Sequence, residues 1–228
     1  MALYAIADLH LSFSANKPMD IYGPAWSNHA ARVKEAWLSL VEPQDTVIIA
    51  GDISWGLRLE EAMADLAWIH ELPGRKVLVK GNHDPWWASI GRLNALFEDM
   101  FFLQNSFFPF GEYAICGSRG WVCPGSSDFT RHDEKIYKRE LLRMKASFEA
   151  AVKAGYEKFV GVMHYPPMNE KKEPSGFTEI FAYYDVHKAV YGHLHGDSAR
   201  SAPRGLIGGT DYMLAACDAL NCRPVRVL

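Results

Sequence analysis

The residues of this chain most able to do chemistry fall in five short motifs. They are Asp8-Leu9-His10, Gly51-Asp52, Gly81-Asn82-His83-Asp84, His164 within Val162-Met163-His164-Tyr165, and Gly192-His193-Leu194-His195. They offer carboxylates, imidazoles and one amide, all N or O donors without a thiolate, a set that suits Mn, Fe, Zn, Co or Ni. Two such ions held side by side activate water and neutralise an anion, so the chemistry implied is metal-assisted hydrolysis of phosphate esters.

Taken singly, the motifs also have ordinary readings. A strand-end Asp such as Asp8 often caps a turn, Gly51-Asp52 fits a turn after a strand, and Gly81-Asn82-His83-Asp84 fits an Asx turn leading into a helix at Pro85. Side chains two apart on a strand point the same way, however, so Asp8 and His10 can grip one ion, and the imidazoles of His193 and His195 repeat that strand-end spacing. Asp52 has two oxygens to share between two cations. Asn82 can offer its amide oxygen, and His83, beside the carboxylate of Asp84, can hold a proton for a leaving group. The other histidines, His29, His70, His132 and His187, lack such a setting and read as surface or packing residues.

Each motif directly follows an apolar run: Leu3 to Ala7, Thr46 to Ala50, Lys76 to Lys80, Lys158 to Met163 and Ala189 to Tyr191. These runs lack strict alternation and predict interior strands buried on both faces. In open α/β folds, groups placed after the carboxyl ends of strands converge on one binding edge. Helices are predicted over Ala30 to Leu40, over Arg58 to Leu72 as a crossover between parallel strands, over Pro85 to Asp99, and over His132 to Ala154, the longest. Phe101 to Leu103, Ser106 to Phe110 and Glu112 to Cys116 read as strands. Gly205 to Ile207, Asp211 to Ala216 and Arg223 to Val227 read as antiparallel strands closing a second sheet. Segments 12–24, 117–131 and 166–176 are the loops expected to select substrate, and the first of them could lie over the site.

The 228 residues are 49% hydrophobic with no linker-like composition break, so a single domain over 1–228 is expected. With 24 basic and 27 acidic residues and no basic run, a nucleic-acid partner is disfavoured but not excluded. A strand begins within three residues of Met1 and no stretch reaches membrane-spanning length, so no membrane partner and a cytoplasmic location are expected. Cys116, Cys123, Cys217 and Cys222 lie away from the motifs without Cys-x-x-Cys spacing and read as reduced structural thiols.

In this order, Asp-x-His, Gly-Asp, Gly-Asn-His-Asp, His and Gly-His-x-His resemble the calcineurin-like metallophosphoesterase superfamily, across residues 8 to 195. The resemblance implies a four-layer α/β/β/α sandwich of two mixed sheets and a dinuclear centre of two divalent or transition-metal ions. It implies Asp8, His10, Asp52 and His195 around one ion and Asp52, Asn82, His164 and His193 around the other. His83 takes the role of proton donor to the leaving group, with Asp84 orienting it. Hydrolysis of a phosphomonoester or phosphodiester would follow from attack by a hydroxide bridging the ions. Gly51-Asp52 continues as Ile53-Ser54-Trp55-Gly56, unlike the Gly-Asp-x-Val-Asp-Arg-Gly of the protein phosphatases. Trp55 stands where purple acid phosphatases place a Tyr ligand. The pattern is closer to small bacterial phosphoesterases and cyclic-nucleotide phosphodiesterases, so a small-molecule phosphate ester is the expected partner.

Two alternatives remain at this level: a catalytically idle scaffold of the same fold that binds protein, and a nuclease of the same superfamily. Scaffolds of this type typically lose the catalytic His, which is present here as His83, and nucleases usually add basic surface and capping segments. Arg119, in Gly117-Ser118-Arg119-Gly120-Trp121 after an expected strand, reads either as a phosphate clamp or as an ordinary surface residue of a turn. Trp86 and Trp87 either line the pocket or pack a helix. Substrate, native metals and oligomeric state are not legible.

Overall fold

Strands buried on both faces need a partner layer on each side, and the residue alternation within them shows two such layers. In β1 (Leu3–Ile6), Leu3 and Ala5 face one core while Ile6 faces another. In β2 (Thr46–Ile49), Ile48 joins the first of these cores, and Val47 and Ile49 join the second. The computed structural model, which describes residues 1–228, resolves this pattern into three apolar layers between four layers of secondary structure.

The first sheet runs, with β3 (Arg75–Leu78), β4 (Met100–Phe102) and β11 (Val225–Arg226), in the order β11-β1-β2-β3-β4. Strands β1 to β4 are parallel and β11 is antiparallel. Its outer face is covered by α1 (His29–Leu40), through Val33 and Trp37, and by α2 (Leu59–His70), through Leu59, Ala62, Leu66 and Ile69. Their spacing of three and four is the apolar stripe of a surface helix.

The second sheet contains β5 (Phe107–Phe110), β6 (Tyr113–Gly117), β7 (Lys158–Val162), β8 (Lys188–Tyr191), β9 (Gly205–Ile207) and β10 (Thr210–Leu214), in the order β5-β6-β7-β8-β10-β9. Helix α4 (Arg131–Lys153) lays Tyr137, Met144, Phe148 and Ala151 on its outer face. Thr130 and Asp133 close a reciprocal capping box at the start of that helix. Between the sheets, Leu3, Ile48 and Val77 meet Ile115, Val160 and Val190. The result is the α/β/β/α sandwich with two mixed sheets.

Two expectations need correction, and one helix was not foreseen. Pro85 to Asp99 is helical only over Ile90–Leu93 (α3). Trp86 and Trp87 both pack against Phe102, and the Trp86 indole donates to Asp84 at 3.0 Å. Adjacent residues diverge by about 100° around a helix, so two neighbouring indoles reach one core more easily from a turn. The indoles therefore pack the core around that turn, not a helix. The last three strands do not form one antiparallel set: β10 pairs antiparallel with β9 but parallel with β8, and β11 crosses to pair with β1. Finally, α5 (Gly176–Tyr183) was not foreseen, although Ser175 and Thr178 form a capping box ahead of Phe177, Ile180 and Phe181.

The sheets are stitched where β1 ends. Ala7 N donates to Ala215 O at 2.7 Å and Cys217 N donates to Ala7 O at 3.0 Å, which brings the chain after β10 beside Asp8. All four cysteines are free and buried, as expected of structural thiols. No helix is long and apolar enough to cross a membrane.

Candidate metal centre

The motifs do not simply extend their strands; they curl back at the carboxyl edge. Asp8, His10, Asp52 and His193 hold left-handed backbone, with φ of 58, 44, 51 and 72°. Such conformations cost roughly 1–3 kcal/mol each for residues other than glycine and persist only where surrounding contacts enforce them. Here Asp8 N donates to Gly51 O and His10 N donates to Asp52 O, both at 2.9 Å. His193 N donates to the Asp8 carboxylate at 3.0 Å. The glycines of the motifs permit this crowding. A Cβ on Gly81 would lie 2.1 Å from Asp52 N, and one on Gly192 would lie 2.5 Å from Asp8 Oδ2.

The seven expected ligands come together as two adjoining groups. Donor atoms of Asp8, His10 and His195 lie within 4.8 Å of one another, and so do those of Asp52, His164 and His193. Asn82 belongs with the second group: its Oδ1 is 2.8 Å from His164 Nε2 and 3.0 Å from His193 Nδ1. Asp52 stands between the groups, with Oδ2 3.4 Å from His164 Nε2 and 3.8 Å from His10 Nε2. Buried His10 Nδ1 has no hydrogen-bond partner. An orphaned buried nitrogen costs roughly 1–3 kcal/mol unless something coordinates it. The all-N/O donor set fits a pair of cations, with His10 facing Asp52 through Nε2.

Electrostatics of the protein alone point the same way. Burial lowers His10 and His193 to about 4, leaving both imidazoles neutral with free lone pairs near pH 7. Burial also opposes charge on His164 and His195, but neighbouring carboxylates overcome it. Asp52 and Asp8 raise His164 to about 9, and Asp218 and Asp8 raise His195 to about 10. Burial would raise Asp52, yet His164 and His10 hold it below the ordinary carboxylate range. Each group thus combines carboxylate with one neutral and one protonated imidazole, so protons supply positive charge where cations would.

His83 is exposed beside these groups, its ring 4.6 Å from Trp55 and 5.7 Å from His10, and its backbone N–H donates to Asp52 Oδ1 at 2.7 Å. Asp84 does not pair with that ring. Its oxygens accept from Gly81 N (2.7 Å), Ile53 N (2.9 Å), Ser54 N (3.2 Å) and the Trp86 indole. Saturated by four donors, this fully buried carboxylate fixes the loop on which His83 stands instead of its imidazole. Burial and the Asp52 charge raise Asp84 to about 6 despite those donors.

Arg119 is no surface residue. Its guanidinium, half-buried, lies over Trp121 at 4.4 Å and 3.7 Å from buried Glu140. Its carbonyl, by contrast, accepts from His164 N at 3.0 Å and Tyr165 N at 3.1 Å.

Some contributors to the site were missed. Asp218 accepts from His195 Nδ1 at 2.8 Å and from Gly196 N at 3.0 Å, a carboxylate brace behind an imidazole donor. Only the stitch between the sheets brings it there, and no local motif marks it. Trp55 stacks on His10 at 4.8 Å. His29, read as a surface or packing residue, hydrogen-bonds Leu9 O at 2.9 Å, between Asp8 and His10. Trp26, just beyond the 12–24 segment, packs 5.7 Å from His10 and 5.4 Å from His195.

Strand-end carboxylates and imidazoles in two adjoining groups, on an α/β/β/α sandwich, define the class of metallophosphoesterases. A model of the calcineurin-like phosphoesterase family matches residues 1–197, and the chain belongs to that family. It is 40% identical over 78 residues to the gene 66 protein of Mycobacterium phage L5, covering 34% of this chain and 37% of that protein. Identity to the gene 66 protein of Mycobacterium phage D29 is 36% over 95 residues, or 40% of this chain and 46% of that protein. The chain thus spans less than half the length of these curated relatives. Two solved structures share the fold. Phosphopantetheinyl hydrolase (PptH) from Mycobacterium tuberculosis has a TM-score of 0.59 at 17% identity, over 100% of this chain and 95% of that one. The protein TT1561 of Thermus thermophilus has a TM-score of 0.61 at 10% identity, over 99% of this chain and 97% of that one.

Proposed function

We propose that this chain, acting as a single domain, hydrolyses a phosphomonoester or phosphodiester of a small molecule with the help of two metal ions. The observation that carries this reading is Asp52, whose carboxylate lies between the two donor groups at 3.4 and 3.8 Å from an imidazole of each. In this reading Asp8, His10, Asp52 and His195 hold one ion, and Asp52, Asn82, His164 and His193 hold the other. When bound, two such ions acidify water towards a pKa of about 7 and draw in an anionic phosphate.

The remaining work falls to the protein. His83, exposed at the rim, donates its imidazole proton to the departing oxygen. Asp84 acts at one remove, because the amides it gathers set the height of His83 above Asp52. Trp55 stacks on His10 and packs beside His83, which keeps both rings in place. Arg119 serves the site through its carbonyl, which fixes His164; clamping of phosphate by its guanidinium would first require release from Glu140.

The test is a panel of phosphomonoesters and phosphodiesters assayed with purified protein under Mn, Ni and Zn. Turnover dependent on added metal and abolished by chelation is expected. Full metal occupancy without turnover of any ester would favour the scaffold reading.

A further inference from the structure

Beside His193 lies a cleft of about 220 Å³, walled by residues 122–126, 165–170 and 194–203. Two of these walls belong to the loops expected to select substrate. The cleft is built before anything binds. Asn169 Nδ2 donates to Pro124 O at 3.0 Å, and Ser127 N donates to Glu170 Oε1 at 2.8 Å, so two of the walls are tied together. Buried Tyr165 forms part of the lining and lies 4.2 Å, ring to ring, from His193. The cleft therefore opens directly onto the second donor group.

Its chemistry is selective. Tyr165, Met168 and Leu194 give apolar surface, and Ser126, Ser198 and Ser201 give hydroxyls. No Lys or Arg lines it, and its one acidic side chain is that of Glu170. A second phosphate entering here would lose water and meet no lining cation, a heavy penalty, because Lys171 lies outside the lining with its ammonium on Gly125 O at 3.2 Å. An uncharged ring or polyol would bury apolar area and keep hydrogen bonds. The volume is below the roughly 300–1,000 Å³ of drug-sized pockets, which suits a single-ring fragment.

We infer that this cleft binds one organic arm of the phosphate ester, and that preferred substrates are esters whose arm is uncharged and about the size of one ring. Nucleoside diphosphates and continuing nucleic-acid backbones are disfavoured. The inference rests on the hydrolytic reading above, and the following test separates the two.

Manganese-loaded protein is given p-nitrophenyl diesters whose second arm is phenyl, methyl or phosphoethyl, and binding of diphenyl phosphate is followed by calorimetry. For the wild type, kcat/KM for the phenyl arm should exceed that for the other two by about 10-fold, the effect of burying part of one ring. Ser198→Trp, which fills the cleft from an exposed position, should bring the phenyl-to-methyl ratio near one and weaken diphenyl phosphate binding by a similar factor. Glu170→Lys should instead raise kcat/KM for the phosphoethyl ester, a gain that misfolding cannot imitate. Turnover without arm preference, unchanged in ratio by either substitution, overturns the cleft assignment and leaves hydrolysis standing. No turnover but tight diphenyl phosphate binding lost in Ser198→Trp upholds the cleft and sinks the hydrolytic reading. Neither turnover nor binding overturns both.

Discussion

The two donor groups share an architecture but differ in what stands behind them. His195 in the first group is braced by a second carboxylate, Asp218, and Trp26 and Trp55 pack against its rings. His164 in the second group is braced by a neutral acceptor, Ala50 O at 3.0 Å, and the amide of Asn82 completes the set. One group thus has an extra nearby negative charge and an aromatic wall, whereas the other has neutral partners and opens onto the cleft. On the proposed reading, a cation in the first should be held more tightly and exchange more slowly, and one in the second should face the substrate; the pair of sheets would then carry one anchoring position and one working position.

The sharpest way to break this comparison is to remove what the groups share. Asp52→Ala should abolish measurable turnover and lower manganese binding at both positions, as read by calorimetry and elemental analysis. Loss of one ion alone would show that the groups are independent. Next in size, His83→Ala should lower turnover by about 100-fold to 10,000-fold for esters with poor leaving groups, with metal content unchanged. Because His83 touches neither brace, this variant should leave the difference in metal affinity intact.

Asp218→Asn sharpens the comparison. It should weaken the tighter manganese site by about 10-fold to 100-fold and leave the weaker one nearly unaltered, so the two steps of a metal titration move together. A smaller effect concerns protons. With His164 raised to about 9 and His195 to about 10, both are protonated near pH 7 in the metal-free protein, and coordination requires them neutral. Manganese uptake at pH 7 should therefore release close to two protons per chain, and affinity should rise with pH until those values are passed. Calorimetry in buffers of different ionisation enthalpy measures the release. No proton release would mean that these imidazoles are neutral before metal binds or take no part in binding it.

How far the sequence spoke follows the same division. That residues 8, 10, 52, 82, 164, 193 and 195 would meet at one edge was legible because each follows a strand buried on both faces, whereas the left-handed turns enforced by contacts such as His193 N to the Asp8 carboxylate were not. Helices α2 and α4 were legible from apolar spacing, as in Leu59, Leu66 and Ile69, whereas α5 was not foreseen. Asp218 was not, because it reaches His195 only through the pairing of Ala7 with the chain after β10, a contact between sheets distant in sequence. Pro85 to Asp99 misled because its apolar content serves two adjacent indoles and a loop gathered by Asp84. The role of Asp84 was misread for a related reason: adjacency to His83 suggested a pair, whereas burial turned the carboxylate towards four other donors.

The central claim is that Asp52 joins two cation sites. Anomalous diffraction from crystals of manganese-loaded protein tests it most directly. The account predicts two peaks about 3.5–4 Å apart, with Asp52 between them. A single peak, or two peaks too far apart to share that carboxylate, would contradict it.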